Sequence, residues 1–445
     1  MANARFSKWL SNLHSFWFVL YASIVAFSLY TCVYAFRKTF SVGTFDGSTF
    51  LLVSYKSWLV IFQIIGYAFS KFLGIKIISE LKATSRATGI ALMVAIAGVS
   101  WFLFAITPAP YNVIFLFTTG LPLGLVWGMI FGYLEGRRYT EVLGAGLSIS
   151  FIFSSGFCKT VGGYLVRDWG VNEYWMPFTT CLIFTIPLLI FLFLIEQIPP
   201  PSQLDETLRT KRQPMNREER KQFVSFFLPG IVLVILTYIL LTAFRDLRDN
   251  YAAEIWNGLN YTHSPSIFTS TEIPVSIIVF VSMGSLMLIR NNLIALVANH
   301  LIVIIGMLLI GLSSFLFEQQ LISAPLWMIL MGTGLYFGYV PFNSIFFDRL
   351  LATFKYTGTI GFVMYLADSF GYLGSVFAVL FKEFSSVEVT WLSFFIKGGY
   401  LISIFGTLLM AGSMFYFFRK YYATRSHNQP NTSGIESTML KTSES

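Results

Sequence analysis

Long apolar runs, each close to the length needed to cross a lipid bilayer, recur from one end of this sequence to the other. A membrane-spanning helix needs about 20 mostly apolar residues to cross roughly 30 Å of hydrocarbon. Runs of this length lie at 14–40, 53–76, 87–107, 111–135, 142–166, 174–196, 222–247, 269–289, 292–316, 323–349, 357–382 and 390–418. We therefore expect an all-α membrane protein with twelve transmembrane helices, called segments 1 to 12 below.

The composition excludes a soluble globular domain. Only 12% of the residues are charged, whereas an average soluble domain has about 25%. Segment 1 begins near the N-terminus, but it is too long for the apolar core of a signal peptide and no small-residue cleavage site follows it. We expect segment 1 to be retained as the first transmembrane helix.

Cysteine and histidine usage gives no sign of a metal or cofactor site. The three cysteines lie far apart inside apolar runs, and the four histidines are scattered over different segments. No CxxC or other metal-ligand spacing occurs, so the cysteines are expected to be small buried apolar residues. The net charge of +8 is explained by basic loops, so we expect no nucleic-acid partner.

Basic residues favour alternate loops, and this sets the predicted orientation. With a cytoplasmic N-terminus, the inner loops collect most of the Lys and Arg, whereas the outer loops between segments 3 and 4 and between segments 9 and 10 have none. This bias is the positive-inside rule. It predicts a multi-pass protein of the inner (cytoplasmic) membrane with both termini in the cytoplasm.

Internal similarity divides the chain into two halves. Ala-Phe-Arg at 35–37 recurs at 243–245, and Lys159 in segment 5 matches Asp368 in segment 11. The pairs are about 210 residues apart, as expected for an ancestral repeat. We therefore predict two pseudo-symmetric six-helix bundles at 1–197 and 222–418, a cytoplasmic linker at 198–221 and a disordered cytoplasmic tail at 419–445.

Ionisable side chains inside the segments are the candidates for function. A charge at the centre of a transmembrane helix costs about 2.5–3.5 kcal/mol unless it faces water or a partner. Arg37 and Arg245 occupy equivalent positions in the two halves, and Arg suits bidentate capture of phosphate or carboxylate. Together with Lys71 and Lys159 they predict a cavity with excess positive charge, which would select an anion. Snorkelling to the interface is the alternative for Lys38 and Lys71.

Asp368 and Lys159 lie at comparable depth in equivalent segments. One interpretation is a salt bridge that neutralises both side chains. The other makes Asp368 a proton carrier, because the pKa of a carboxyl rises on desolvation and falls beside a cation. Both interpretations remain open from the sequence.

A second repeated set of charges lies at the inner ends of segments 4 and 10. Glu135 and Arg137 match Asp348 and Arg349 in the other half. These four residues are candidates for a cytoplasmic gate of ion pairs. Ordinary solvated helix ends explain them nearly as well.

Two motifs support a more specific relationship. Residues 34–40 (Tyr-Ala-Phe-Arg-Lys-Thr-Phe) resemble the Tyr-x-x-Arg-Lys-x-Phe signature of the organophosphate:phosphate antiporter branch of the major facilitator superfamily. Residues 66–72 (Gly-Tyr-Ala-Phe-Ser-Lys-Phe) are similar to that family's Tyr-Gly-x-Ser-Lys-Phe. The chain also looks like members of an uncharacterised family of major-facilitator-like proteins often found in Bacteroidetes.

This resemblance implies a major-facilitator fold and a set of binding residues. In the antiporter family, one Arg in segment 1 and one in segment 7 bind the phosphoryl group, and Lys side chains of segments 1 and 2 lie close by. Carried over to this sequence, the resemblance implies Arg37, Lys38, Lys71 and Arg245 as substrate-binding candidates, with Tyr34 lining the site.

These observations predict a secondary active transporter that moves a small anionic solute, phosphorylated solutes included, by alternating access. Membrane lipid is the expected surrounding, and we expect a monomer because both halves lie in one chain. The alternative is a non-transporting membrane sensor that retains a transporter-like ligand cavity. An enzyme is not expected, because the segments show no nucleophile, paired acids or metal cluster.

Overall fold

A computed structural model describes residues 4–47, 49–80, 85–135, 137, 139–201, 217–261, 264–355, 361–384 and 389–427. Within these ranges the chain forms twelve helices of at least 21 residues, and helix αn corresponds to predicted segment n. They are α1 Ser15–Lys38, α2 Tyr55–Glu80, α3 Arg86–Ile106, α4 Ile114–Leu134, α5 Thr140–Arg167, α6 Met176–Glu196, α7 Arg217–Asn250, α8 Ile267–Met287, α9 Asn292–Glu318, α10 Ala324–Ser344, α11 Gly361–Phe384 and α12 Trp391–His427.

Helices dominate because lipid offers no hydrogen-bond partner to the backbone, so each spanning segment must pair its own N–H and C=O groups. Among the described residues, nine of the twelve helices are long and apolar enough to cross a membrane. The other three are α2 and α11, which carry several charged side chains, and α10, which is rich in Gly and Tyr. The chain is therefore a multi-pass membrane protein.

Helix packing repeats with a period of six. In the first half α1 packs on α5 and α6, α2 on α4, and α3 on α4 and α6. In the second half α7 packs on α11 and α12, α8 on α10, and α9 on α10 and α12. The halves meet mainly where α5 packs on α8 and α11 packs on α2. A rotation that places each half on the other also places the α5–α8 contact on the α11–α2 contact. The arrangement therefore has approximate twofold symmetry.

One end of the bundle, opposite the chain termini, is called the distal end here. It is the end at which α1 ends and α2 begins. Between these helices lie a 3-10 turn at Thr39–Val42 and a two-stranded antiparallel hairpin, with β1 at Thr49–Phe50 and β2 at Val53–Ser54. A short helix, Ala252–Gly258, follows α7 at the same end. The opposite end carries the short helices Ala4–Ser11 and Phe346–Thr353.

The structure corrects the predicted start of the disordered tail at residue 419. Helix α12 continues to His427, so residues 419–427 are helical rather than disordered. Lys420 explains this extension, because its ammonium group lies 3.8 Å from the centre of the Phe226 ring and donates a hydrogen bond to the Phe226 carbonyl. Helix α7 likewise begins at Arg217, inside the predicted linker. Residues 202–216 of the linker and 428–445 of the tail lie outside the described residues.

Glycine permits the close crossing of α2 and α4. A Cβ atom added to Gly120 would lie 2.5 Å from the Gln63 carbonyl oxygen and 3.1 Å from the Tyr67 backbone nitrogen. Another close crossing joins α9 and α10, where a Cβ on Gly306 would lie 2.5 Å from the Gly334 carbonyl oxygen. Backbone atoms cannot move aside as side-chain ends can, so both crossings require glycine.

We expect Gly120→Ala to lower the midpoint of thermal unfolding of the detergent-solubilised protein. The added methyl group forces α2 and α4 apart, and overpacking of this kind costs about 1–3 kcal/mol. Gly284→Ala in α8 is the matched control, because its added Cβ has no neighbour within 4 Å apart from the backbone of its own helix. That control gains helix propensity and should be neutral or stabilising by about 1 kcal/mol. Equal midpoints for the two variants would contradict the tight crossing.

Candidate functional site

A polar cavity lies between the two halves, and six of its eleven lining residues are tyrosines. Its empty volume, which includes space open to solvent, is about 420 Å³. We call it the tyrosine cavity. It is lined by Tyr30, Tyr34, Arg37, Tyr67, Phe151, Arg245, Asp246, Asp249, Tyr336, Tyr339 and Tyr372. Three of the predicted binding residues, Tyr34, Arg37 and Arg245, are therefore brought together.

Arg37 reaches this cavity from α1 without a carboxylate partner. Its guanidinium carbon lies 3.7 Å from the centre of the Tyr67 ring, in a cation–π contact. Among the described residues, no Asp or Glu comes within 4.0 Å of its charged nitrogens, and its Nε is buried without a hydrogen bond. A cation–π contact contributes about 2 kcal/mol when desolvated, but it leaves the positive charge uncompensated.

Arg245 occupies the equivalent position in α7 and is neutralised. Its guanidinium carbon lies 4.0 Å from the centre of the Tyr339 ring, so both arginines lie against a tyrosine. Unlike Arg37, it pairs with Asp246, with 2.7 Å between Nη2 and Oδ1. Asp246 also accepts a hydrogen bond of 2.8 Å from Ser375. The two halves thus present similar arginines in different electrostatic states.

Asp249 at the end of α7 links three helices from both halves. One of its oxygens lies 2.5 Å from Lys159 Nζ and accepts a hydrogen bond from Ser155, both on α5. The other accepts a 3.0 Å hydrogen bond from Tyr34 and lies 3.5 Å from Lys38 Nζ, both on α1. Buried charges of this kind require such partners. The predicted residues Lys38 and Lys159 are therefore joined by a carboxylate to which sequence reasoning gave no role.

The salt bridge expected between Lys159 and Asp368 is wrong, because each side chain pairs with another residue. Asp368 instead lies 3.6 Å from Lys71 Nζ on α2 and accepts a 2.5 Å hydrogen bond from Tyr238 on α7. The physical reason is the symmetry itself. Equivalent residues on α5 and α11 are related by the twofold axis, but α5 packs across the interface on α8 and α11 packs on α2. Lys159 pairs with Asp249 of α7, whereas Asp368 pairs with Lys71 of α2.

A second cavity, of about 220 Å³ of empty volume, borders the α5–α8 contact. Here Arg248 Nη1 lies 2.6 Å from Glu272 Oε1, and Nη2 donates to the Met328 carbonyl oxygen at 3.1 Å. Arg248 Nε and Glu272 Oε2 are buried without hydrogen-bond partners. Sequence reasoning missed Glu272, although a lone acid inside an apolar run signals a functional residue.

The candidate gate residues lie at the end of the bundle opposite the hairpin. Arg137 donates to the Pro199 carbonyl oxygen and its guanidinium carbon lies 5.0 Å from the centre of the Phe18 ring. Arg349 donates a 2.9 Å hydrogen bond to Asn292. These contacts stay within one half. Ion pairs of these arginines with Glu135 and Asp348 remain a prediction.

Further polar contacts join the halves at the distal end. Lys56 Nζ lies 2.5 Å from Glu254 Oε1, and burial raises the pKa of Glu254 above its usual range despite this partner. Lys38 also donates a 2.5 Å hydrogen bond to Asn250. Thr160 donates a 2.9 Å hydrogen bond to the Pro265 carbonyl oxygen. The distal ends of the two halves are consequently joined by several charged and polar pairs.

We expect Asp249→Asn to destabilise the protein strongly, because two buried ammonium groups lose their shared carboxylate. Removing one member of a buried ion pair typically costs about 3–5 kcal/mol. Asp168→Asn is the matched control, since the Arg167–Asp168 pair is exposed at a separation of 3.8 Å. The measurement is the thermal unfolding midpoint in detergent. Adding Lys159→Met to Asp249→Asn should recover part of the loss, and no recovery would argue against this pairing.

Comparison with known proteins identifies the fold. The model of a family of unknown function, DUF5690, matches residues 39–420. No curated protein matches the sequence. Among solved structures, the nucleoside transporter NupG has a TM-score of 0.56 at 14% identity, covering 90% of this chain and 98% of that chain. A bacterial homologue of the human drug peptide transporters PepT1 and PepT2 has a TM-score of 0.57 at 11% identity, covering 91% and 98%.

The proton:xylose symporter XylE of the major facilitator superfamily has a TM-score of 0.57 at 16% identity, covering 89% of this chain and 96% of that chain. At these identities the likeness shows the fold alone. The chain has the major-facilitator fold, as the sequence predicted. Membership of the organophosphate:phosphate antiporter branch is not confirmed.

Proposed function

This chain belongs to DUF5690, a family of unknown function, and we propose that it is a secondary transporter. In this proposal it moves a small anionic solute, phosphorylated solutes included, across the inner membrane by alternating access. We assign both termini to the cytoplasm because the basic residues gather in the loops on the side of the termini, and in this proposal the chain works as a monomer because it contains both halves of the fold.

The observation that carries the proposal is the uncompensated charge of Arg37. A guanidinium group held in a cavity between two bundles without a carboxylate is costly unless an anion arrives to pair with it. Arg245 lines the same cavity, together with six tyrosines. Hydroxyl and guanidinium groups are donors that match the oxygens of a phosphate or carboxylate.

The charges around the cavities favour an anion as well. Six cations and four carboxylates occupy this region among the described residues, so the balance is positive. The cations are Arg37, Lys38, Lys71, Lys159, Arg245 and Arg248, and the carboxylates are Asp246, Asp249, Glu272 and Asp368. A neutral solute would leave this excess uncompensated.

The repeated packing supports alternating access. The two halves meet through symmetric contacts of α5 with α8 and of α2 with α11, so they can rock about a central site without unfolding. The similar solved structures are those of transporters of nucleosides, xylose and peptides rather than enzymes. No contact among the described residues specifically favours the alternative, a sensor without transport.

We expect Arg37→Ala to abolish exchange of an anionic solute in proteoliposomes loaded with inorganic phosphate, a hexose phosphate or a dicarboxylate. Truncating one partner of a buried charge pair costs at least about 2 kcal/mol, which is roughly a 30-fold loss of affinity. Arg37→Lys should recover only part, because the bidentate geometry is lost. Arg167→Ala removes an exposed arginine outside the cavity and serves as the control.

If the Arg37→Ala, Arg245→Ala double variant still exchanges anions, the tyrosine cavity is not the binding site. A wild-type protein that binds one of these anions in a calorimeter but never exchanges it would favour the sensor. A wild-type protein that instead moves an uncharged hexose would exclude anion selectivity.

Asp368 offers a second test, because its partner Lys71 lies on the opposite half. If transport is coupled to protons through this carboxylate, Asp368→Asn should abolish accumulation driven by a pH gradient while sparing counterflow. The amide side chain of this variant cannot bind and release a proton, so a pH gradient cannot drive accumulation. Exchange of solute for solute requires no net proton movement. Asp168→Asn, in an exposed pair, is the control. Equal loss of accumulation and counterflow would instead favour a structural salt bridge between Lys71 and Asp368.

A further inference from the structure

The hairpin between α1 and α2 carries an exposed apolar tip. Phe50, Leu51 and Leu52 are 43%, 67% and 89% exposed, while the next residue, Val53, is fully buried. Exposed leucines are ordinary one at a time. Three consecutive large apolar side chains at the end of a loop are not, and they indicate contact with something outside the chain.

The backbone of this turn makes the choice of leucine less expected still. Leu51 and Leu52 have φ values of 50° and 64°, in the left-handed region that Gly, Asn and Asp adopt most readily. A two-residue hairpin turn of this kind usually contains Asn-Gly. Leucine at both positions therefore sacrifices turn stability, which implies that the side chains themselves are used.

The tip continues a lipid-facing stripe of α2. The ring centres of Phe50 and Trp58 are 6.3 Å apart, and so are those of Trp58 and Phe62. Trp58 also donates a 2.7 Å hydrogen bond to the Phe50 carbonyl oxygen, which fixes the hairpin against α2. Further along the helix, Phe69 and Leu73 are exposed at helical spacing. Exposed apolar rows on a spanning helix contact lipid.

A second such stripe, on α11, ends beside the same hairpin. Five large apolar side chains follow one another at helical spacing along α11 and are all exposed: Phe370, Leu373, Phe377, Phe381 and Phe384. The neighbouring residue, Glu383, accepts a 2.7 Å hydrogen bond from the Ser54 hydroxyl and a 3.2 Å hydrogen bond from the Ser54 backbone N–H. The hairpin is thus tied to both halves where two lipid-facing stripes end.

We propose that the hairpin tip, Phe50–Leu52, inserts into the bilayer at the distal surface and binds lipid there. The occupant is the hydrocarbon just below the phospholipid headgroups. It is indicated by the continuity of the tip with the stripes on α2 and α11 and by Trp58 at its base, a residue type that favours the interface. The inserted tip, through Ser54 and Glu383, holds the distal ends of α2 and α11 to the membrane surface.

Spin labelling tests the insertion directly and independently of transport. A nitroxide is attached to Leu52→Cys in phosphatidylethanolamine–phosphatidylglycerol vesicles, and its collisions with dissolved oxygen and with a water-soluble nickel chelate are compared. The three native cysteines are buried, and the unsubstituted protein gives the background signal. Phe377→Cys on the α11 stripe serves as the lipid standard, and Gln319→Cys, in the exposed turn after α9, as the water standard.

We expect the label at Leu52→Cys to favour oxygen, as at Phe377→Cys. Accessibility to nickel equal to that at Gln319→Cys would overturn the proposal, because the tip would then be in water. Protection from both reagents would also overturn it, because the tip would then be covered by a protein partner or a second copy.

A second variant tests whether the leucines cause the insertion. Leu51→Asn combined with Leu52→Gly supplies the turn residues that these φ values favour, so the hairpin should fold at least as well. With a label at Thr49→Cys, we expect this double change to raise nickel accessibility several-fold relative to the label in the unchanged hairpin. An unchanged accessibility in a protein that elutes as one monodisperse peak would show that the leucines do not hold the tip in lipid.

Discussion

The cost of placing charge in a membrane is the constraint on which this structure depends. Every ionised side chain in the lipid-embedded region must find a partner, a cavity or the interface. Asp249 meets this requirement by joining Lys159 of α5 and Tyr34 of α1 to α7, so that one carboxylate connects both halves. The contacts that neutralise these charges consequently also hold the two halves together.

The charges are divided unevenly between halves whose packing is alike. All four carboxylates around the cavities come from the second half: Asp246, Asp249, Glu272 and Asp368. Among the described residues, the first half supplies only cations there: Arg37, Lys38, Lys71 and Lys159. The halves therefore attract each other across the interface. The two halves share one helix arrangement. Because the charges at equivalent positions differ, the first half contributes cations to the interface and the second half contributes the carboxylates.

Much of the fold was predictable because lipid imposes a strong and simple sequence signal. All twelve long helices overlap the apolar runs, and the candidate cavity holds Arg37 and Arg245 as the repeat suggested. Partners were less predictable. Depth along a helix says nothing about which neighbour a side chain faces, so Asp368 was matched to Lys159 rather than to Lys71. Apart from Tyr34, the cavity tyrosines were missed because an aromatic side chain in an apolar run looks the same whether it faces lipid or a cavity.

This division of charge gives the proposed anion a specific effect. A phosphate or carboxylate entering the tyrosine cavity would meet Arg37, which has no carboxylate partner among the described residues, and beyond it Lys38, which lies 3.5 Å from Asp249. An anion held by the first half competes with the carboxylates of the second half for the same cations. Since Asp249 also ties α1 and α5 of the first half to α7 of the second, binding of the solute weakens contacts that must break before the halves can rock. Pairing of Arg245 with Asp246, within one half, is unaffected by that competition, so Arg37 rather than Arg245 would respond first.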